Sequence, residues 1–246
     1  MPATMRDPRV NRLLGTLPQA ELDGLRPHLH IAHYPARSIL YGAGEQLRDI
    51  YFPLTGVGSV IATMADGAVV EVGTVGNEGV VGLPAFYGGD HSPFETIVQV
   101  PGQFARLAIE PFQEALRPET TLYTLIQRYA LAYSVLVGQS AACNRLHPVE
   151  ERCARWLLLT HDRAGMDTFS LSQEFLGYML GTRRTSVTVA AGMLQHAGLI
   201  TYHRGIITDI DRNGLEAAAC ECYGVITAAF ARYLPTAEPS QPYVSD

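Results

Sequence analysis

The chain has no lysine: all 18 of its basic residues are arginine. Coding bias is the first reading of that absence. It excludes phosphate-binding loops built on a lysine, and it makes every fixed positive charge a planar guanidinium with bidentate reach. Cysteine is scarce as well. Cys143, Cys153, Cys220 and Cys222 are the whole complement, with a spacing that matches neither a disulfide scaffold nor a common zinc pattern. Reduced structural thiols are therefore expected. Cys220-Glu221-Cys222 is a candidate redox or metal pair, but two soft ligands alone make no site, so no metal and no other cofactor is expected. His28, His30 and His33 are spaced closely enough to hold a metal ion together, yet surface or strand-edge histidines are far commoner. No apolar run approaches the ~20 residues of a membrane span, and the first residues, MPATMRDPRVNRLLG, lack the apolar core of a signal peptide. A cytoplasmic protein without a membrane partner is expected. Hydrolase signatures are missing too. There is no Gly-x-Ser-x-Gly and no His-Glu-x-x-His, and Glu150-Glu151 fits a solvated helix face, so an enzyme is not expected.

What is present divides by texture. The 246 residues carry a net charge of −6 and are 47% hydrophobic and 17% charged, a globular composition with no general basic coat. Residues 9–29 look like short amphipathic helices built on Leu13, Leu14, Leu17, Leu22 and Leu25. From about 30 to 108 short β-rich runs alternate with turns such as Asp66-Gly67 and Gly88-Gly89-Asp90, a pattern for an antiparallel roll or sandwich. A short helix is expected at 109–117 and a long one at 118–146. In the long helix Leu122, Ile126, Tyr129, Tyr133, Leu136 and Ser140 alternate at spacings of four and three, a heptad seam. Leu125, Leu131, Val135 and Val137 make the remaining surface apolar, so most sides must be covered. A second copy of the chain is the simplest cover for one side, with those six seam residues as the dimer interface. The alternative is a core helix buried within a monomer.

Beyond His147-Pro148 lies a helical segment, VEERCARWLLLTHDRAG, and then a compound signal. Ser172 suits an N-cap with Glu174 in the first turn. Leu176, Met179 and Leu180 give an apolar face, and Gly181 permits a tight turn. Val187, Ala190, Ala191 and Leu194 then face inward on a second helix. Arg183 and Arg184 stand at the start of that second helix, where the macrodipole disfavours positive charge. Its outer side is small and nearly uncharged. LITYHRGIITDI follows as strand, turn and strand with a basic tip. Together these read as a helix-turn-helix with a wing, whose second helix enters a major groove. Arginine there can read guanine, a threonine methyl can touch thymine, and the wing can reach phosphate. The DNA-binding set is Arg183, Arg184, Thr185, Ser186, Thr188, Val189, Ser172, His203 and Arg204. The bland alternative is ordinary solvated arginines on a small helical domain. GLEAAACECYGVITAAFARYL reads as one last helix, and the remaining residues as a disordered tail.

At this point the chain resembles the Crp/Fnr family of bacterial transcription regulators. LSQEFLGYMLGTRRTSVTVAAGMLQHAGLI carries the most specific likeness, supported by YGAGEQLRDIYFPLTGVGSV and DGAVVEVGTVGNEGVVG in the β region. The resemblance implies an α+β fold: an N-terminal antiparallel, jelly-roll-like β-roll similar to cyclic-nucleotide-binding domains (1–117), a long dimerisation helix (118–146), and a C-terminal winged helix-turn-helix (147–235) before a tail (236–246). It implies a homodimer on a near-palindromic operator, with double-stranded DNA and RNA polymerase as partners and an unknown small-molecule effector left open. Arg184 matches the family's first base-reading arginine. Thr185 stands where a glutamate is usual and Val189 where a second arginine is, so a different operator is expected. The pocket resembles the family's less. Glu78-Gly79 matches the ribose-binding part, and Ser92 and Thr96 fall in the phosphate-binding part, GGDHSPFET, which has no arginine. Tight binding of cyclic AMP or cyclic GMP is not expected. Iron–sulfur and heme branches need cysteines in the roll, and none is there. A second reading is a small-molecule or redox sensor signalling through protein contacts, with weak DNA binding.

Overall fold

The structure is a computed structural model and describes residues 6–166, 168–208 and 211–234. Two short helices, α1 (Arg12–Thr16) and α2 (Gln19–Leu25), open the chain. Seven strands follow: β1 (Leu29–Tyr34), β2 (Ile39–Tyr41), β3 (Asp49–Pro53), β4 (Val57–Thr63), β5 (Val69–Val75), β6 (Glu95–Val100) and β7 (Gly102–Ala108). They form two antiparallel sheets, ordered β1-β7-β3 and β2-β6-β4-β5. The non-sequential order is that of a roll, as the turn spacing predicts. Inside it Ile50, Phe52, Val98, Phe104 and Leu107 are buried.

Helix α3 (Ile109–Ala115) leads to α4 (Thr121–Leu146), capped by the Thr120 hydroxyl, which accepts from the Tyr123 amide. Here the heptad seam meets its cover. Leu122, Ile126, Tyr129, Leu136 and Ser140 are buried, and Tyr133 is half-buried, all within one chain. The roll lies on one flank of α4 and the C-terminal helix on another. Most of the seam expected at a dimer interface is therefore covered by the chain itself. A periodic apolar stripe dictates that a face is buried, not by which molecule. The exposed stripe of α4 runs instead through Gln127, Leu131, Ser134, Gly138 and Ala141, again at spacings of four and three.

Helix α5 (Val149–Ala164) then enters a second module: β8 (Phe169–Ser170), α6 (Gln173–Met179), α7 (Arg184–His196), β9 (Thr201–His203), β10 (Ile206–Thr208) and α8 (Arg212–Ala218). Trp156, Leu157, Leu176, Val187, Ala190, Leu194, Ile207 and Leu215 make its core. The single last helix expected from 214 is broken. Ala219 is extended, and α9 (Cys222–Tyr233) turns away to pack Ile226 and Phe230 into the core of the roll and α4. The winged-helix module thus closes at α8, short of the boundary at 235. The tail assigned to 236–246 lies outside the described residues.

The second module is docked on the outer face of β4, β5 and β6 through buried polar groups. Trp156 Nε1 donates to Glu71 Oε1 at 2.9 Å, and Gln99 Nε2 to Thr160 Oγ1 at 2.9 Å. The Ser59 hydroxyl lies between Glu71 and Gln99. Burial pushes the Glu71 carboxyl up to about 7, against the hydrogen bonds from Ser59 and Trp156, which favour the anion. Folded protein thus holds a proton that the unfolded chain releases near 4.5. A raised acid makes stability fall as pH rises from about 4.5 to about 7. Glu71→Gln is expected to flatten the fall across that window, by on the order of 2–3 kcal/mol, in denaturant titrations at several pH values. An unchanged slope in the variant would exclude Glu71 as its source.

Candidate nucleic-acid interface and effector cavity

Local sequence chemistry places each part of the interface. Ser172 caps α6, its Oγ accepting from the Phe175 amide at 3.1 Å. Gly181 takes φ +56° in the turn and rests on the Val70 side chain of β5, so a side chain there would meet both strain and a clash. Arg183 is the extended N-cap residue of α7 and Arg184 its first helical residue. Both are exposed, and among the described residues neither makes an ion pair. Val187, Ala190, Ala191 and Leu194 face inward. Thr185, Thr188 and Val189 face out with Gly192 and Met193, and Val189 is 64% exposed. Ser186 is half-buried at the edge of that face. The Thr188 hydroxyl is 2.8 Å from Gln173 Oε1 and 3.0 Å from the Arg184 carbonyl. Gln173 therefore joins the surface, a residue that sequence reasoning passed over because it lies on the preceding helix.

The wing is a three-stranded sheet ordered β8-β10-β9. Its register pairs His203 with Ile206, leaving Arg204-Gly205 as a two-residue turn. Both turn residues have positive φ, +47° and +81°, the pattern of a type I′ hairpin turn. Glycine suits it; arginine at such a φ costs about 1–2 kcal/mol. The turn thus carries an exposed guanidinium where asparagine or glycine would fold more easily.

A second site lies between the roll and α4. A cavity of about 870 Å³ is lined by valines of β4 and β5, by Tyr41, Ser92 and Thr96, and by Tyr129, Tyr133 and Val137 of α4. Of the expected pocket residues, Ser92 and Thr96 line it. Glu78 does not. It is buried on the other side, with Arg163 Nε of α5 2.8 Å from its Oε1, and Arg163 also lies over the Phe230 ring. Gly79 packs against the ring of Tyr129 with no room for a Cβ. Among the described residues no arginine lines the cavity, and His91 is the one basic-type residue there. The Tyr129 and Tyr133 hydroxyls are buried against Gly79 and Gly73 rather than turned to the cavity. The mostly apolar lining favours an apolar molecule over a cyclic phosphate.

A β-roll, a long helix and a winged helix-turn-helix together define the architecture of a DNA-binding regulator. Residues 31–119 match the cyclic nucleotide-binding domain, and residues 151–218 match the Crp-like helix-turn-helix domain. The chain belongs to the Crp/Fnr family and is a DNA-binding transcription regulator with a cyclic-nucleotide-binding-like domain; its relatives are regulators, not enzymes. Similar folds include FixK2 from Bradyrhizobium japonicum, at 17% identity and TM-score 0.66, covering 78% of this chain and 98% of that one. The c-di-GMP-responsive regulator CLP from Xanthomonas campestris is 16% identical with TM-score 0.63, over 78% and 99%. A CRP-family regulator from Thermus thermophilus is 20% identical with TM-score 0.63, over 76% and 96%. No curated protein matches the chain in sequence.

The Arg163–Glu78 pair is almost wholly buried, so it is a structural bond between α5 and the roll rather than a ligand contact. Arg163→Ala would leave Glu78 as an unpaired buried acid. A loss of about 3–5 kcal/mol is expected in chemical denaturation. A loss under about 1 kcal/mol, the range of exposed pairs, would show that water already reaches the pair.

Proposed function

We propose that the chain acts as a homodimer on a near-palindromic operator in the cytoplasm, with Arg184 reading a guanine edge in each half-site. Arg183 contacts a base or the flanking phosphate. Thr185, Ser186, Thr188 and Val189 complete the groove surface, and Ser172, His203 and Arg204 hold the backbone. The observation that carries this reading is the pair of unpartnered guanidinium groups at the exposed start of α7. Two like charges at a helix N-terminus raise the energy of the free protein, and phosphate with its released counterions offsets that. RNA polymerase is the expected further partner. The partner copy packs along the exposed stripe of α4, Gln127, Leu131, Ser134, Gly138 and Ala141. Ser134 and Gly138 also line the cavity, so a second copy would wall the effector site and couple occupancy to the angle between the two helices.

Selection from a random duplex pool tests the operator, with enrichment of a palindrome expected and none overturning the reading. Arg184→Ala should relax discrimination at one position per half-site by about 1–3 kcal/mol; full discrimination in the variant would remove Arg184 from that role. Arg204→Asn keeps a residue suited to the turn. It should fold at least as stably while binding every sequence more weakly, with the salt slope lowered by about 0.9 for each phosphate the wing no longer neutralises. An unaltered salt slope would mean that the wing touches no phosphate.

Gly138 has open space where a Cβ would stand. Gly138→Glu should therefore fold normally but run as a monomer in light scattering and lose operator binding. A stable dimer in that variant would place the interface elsewhere. Calorimetry with cyclic AMP and cyclic GMP should show no micromolar binding, and heat at that affinity would refute the reading of the cavity.

A further inference from the structure

The break between α8 and α9 brings together side chains that are far apart in sequence. Cys143 and His147, four residues apart at the end of α4, meet Cys220 and Cys222, and the four candidate ligand atoms lie within 4.8 Å of one another. Cys143 Sγ is 3.5 Å from Cys220 Sγ, and Cys222 Sγ is 3.4 Å from His147 Nδ1. The three cysteines are buried together, apart from the main cores. We propose that these four residues bind one thiophilic divalent cation, with zinc(II) as the fitting ion, and that it clips the end of α4 to the segment joining α8 and α9.

The spacing is that of a mononuclear tetrahedral site. Zn–S bonds of about 2.3 Å set sulfur–sulfur edges at about 3.8 Å, whereas an iron–sulfur cluster would spread the same ligands around its own body. Three thiolates and one imidazole form a common structural zinc set. The surroundings are arranged as a metal site needs. Glu221 Oε2 lies 3.1 Å from His147 Nε2, which fixes the proton there and turns Nδ1, the atom facing the sulfurs, into the free lone pair. Gln139 Nε2 donates to Cys222 Sγ at 3.2 Å.

The second observation concerns two buried arginines that are not themselves ligands. Arg152 and Arg155 of α5 are buried, and each leaves Nε without a hydrogen-bond partner. Among the described residues neither makes an ion pair. The carboxylate that feels Arg155, Glu71, spends its oxygens on Ser59 and Trp156. The remaining side-chain bonds of the two arginines go to neutral groups: Arg152 Nη2 donates to Asn144 Oδ1 and to the Leu180 carbonyl, and Arg155 Nη1 to the Ser140 hydroxyl. Three thiolates, a neutral imidazole and a divalent cation sum to one negative charge, which neutral thiols would not supply. Buried guanidinium groups call for such a counter-charge.

The test uses full-length protein purified under reducing conditions. Elemental analysis should find about one zinc per chain, released when the thiols are alkylated or mercurated. Cobalt(II) added to metal-stripped protein should give the visible bands of a tetrahedral thiolate site at one equivalent. Cys143→Ser should lose the ion. Glu221→Gln touches no metal, keeps the cobalt geometry, and should weaken affinity roughly 10- to 100-fold; it serves even if the cysteine variant does not fold. Four free thiols with no stoichiometric metal and no cobalt bands would overturn the proposal. So would a Cys143–Cys220 disulfide in freshly isolated protein, or bound iron with acid-labile sulfide.

Discussion

Helix α4 is apolar around most of its circumference, and the rest of the molecule follows from the need to cover it. A 26-residue helix with Leu122, Leu125, Ile126, Tyr129, Ala132 and Leu136 all buried cannot stand in water as a bare linker. The roll covers one flank but leaves a gap, because the valines of β4 and β5 and the tyrosines of α4 do not interdigitate completely. That gap is the cavity lined by Ser92, Thr96 and Val137. Helix α9 covers a second flank, and to reach it the chain must stop α8 at Ala218 and run back. Cavity, reversal and cysteine cluster are thus three consequences of one burial requirement. Among the described residues, the stripe through Leu131 and Gly138 is left uncovered along the middle of α4.

The C-terminal module meets the roll through a different kind of contact. Ser59, Glu71, Gln99, Trp156 and Thr160 form a buried polar seam flanked by Ile61 and Ile97. Such a seam is specific in register but weak in net energy, since each bond mostly replaces one made with water. Glu71 at neutral pH is close to its own titration point, so the seam is held by a group that gains charge with little provocation. The Arg163–Glu78 pair anchors the neighbouring end of α5 more firmly, as both partners lack an alternative in solvent. The module therefore has one stiff attachment at Glu78, just after β5, and one softer attachment at β4 and β5.

Legibility in sequence tracks how local the determining physics is. The turn at Gly181, the inward set Val187, Ala190, Ala191 and Leu194, and the tight turn before Ile206 are written in windows of a few residues, so the helix-turn-helix and its wing could be read directly. The heptad of α4 was legible as a buried face, but its cover depends on α9, far downstream in the chain, and periodicity holds no address. Glu78 sat in the right motif position, yet its role is set by Arg163, which no local pattern connects to it. The break at Ala219 has neither glycine nor proline to announce it; packing of Ile226 and Phe230 into a distant core outweighs helix propensity there. Cys143-x-x-x-His147 and Cys220-x-Cys222 were each present as two-ligand fragments, and a fragment of two says little until the chain reversal joins them.

The two arginine sites bear opposite relations to the fold, and the contrast explains why one carries strain. At α7 the guanidinium groups follow an unstrained helix start, and only the dipole opposes them. At the wing, Arg204 occupies a left-handed conformation that its own backbone resists. Shifting the arginine by one position would relieve that strain but would move it off the apex, onto the strand at His203 or into the glycine position that the turn requires. The tip of a two-residue hairpin offers one outward-pointing side chain and no other. A charge needed at the furthest reach of the wing must accept the conformation found there, and the closed register of β9 and β10 is what holds it in place.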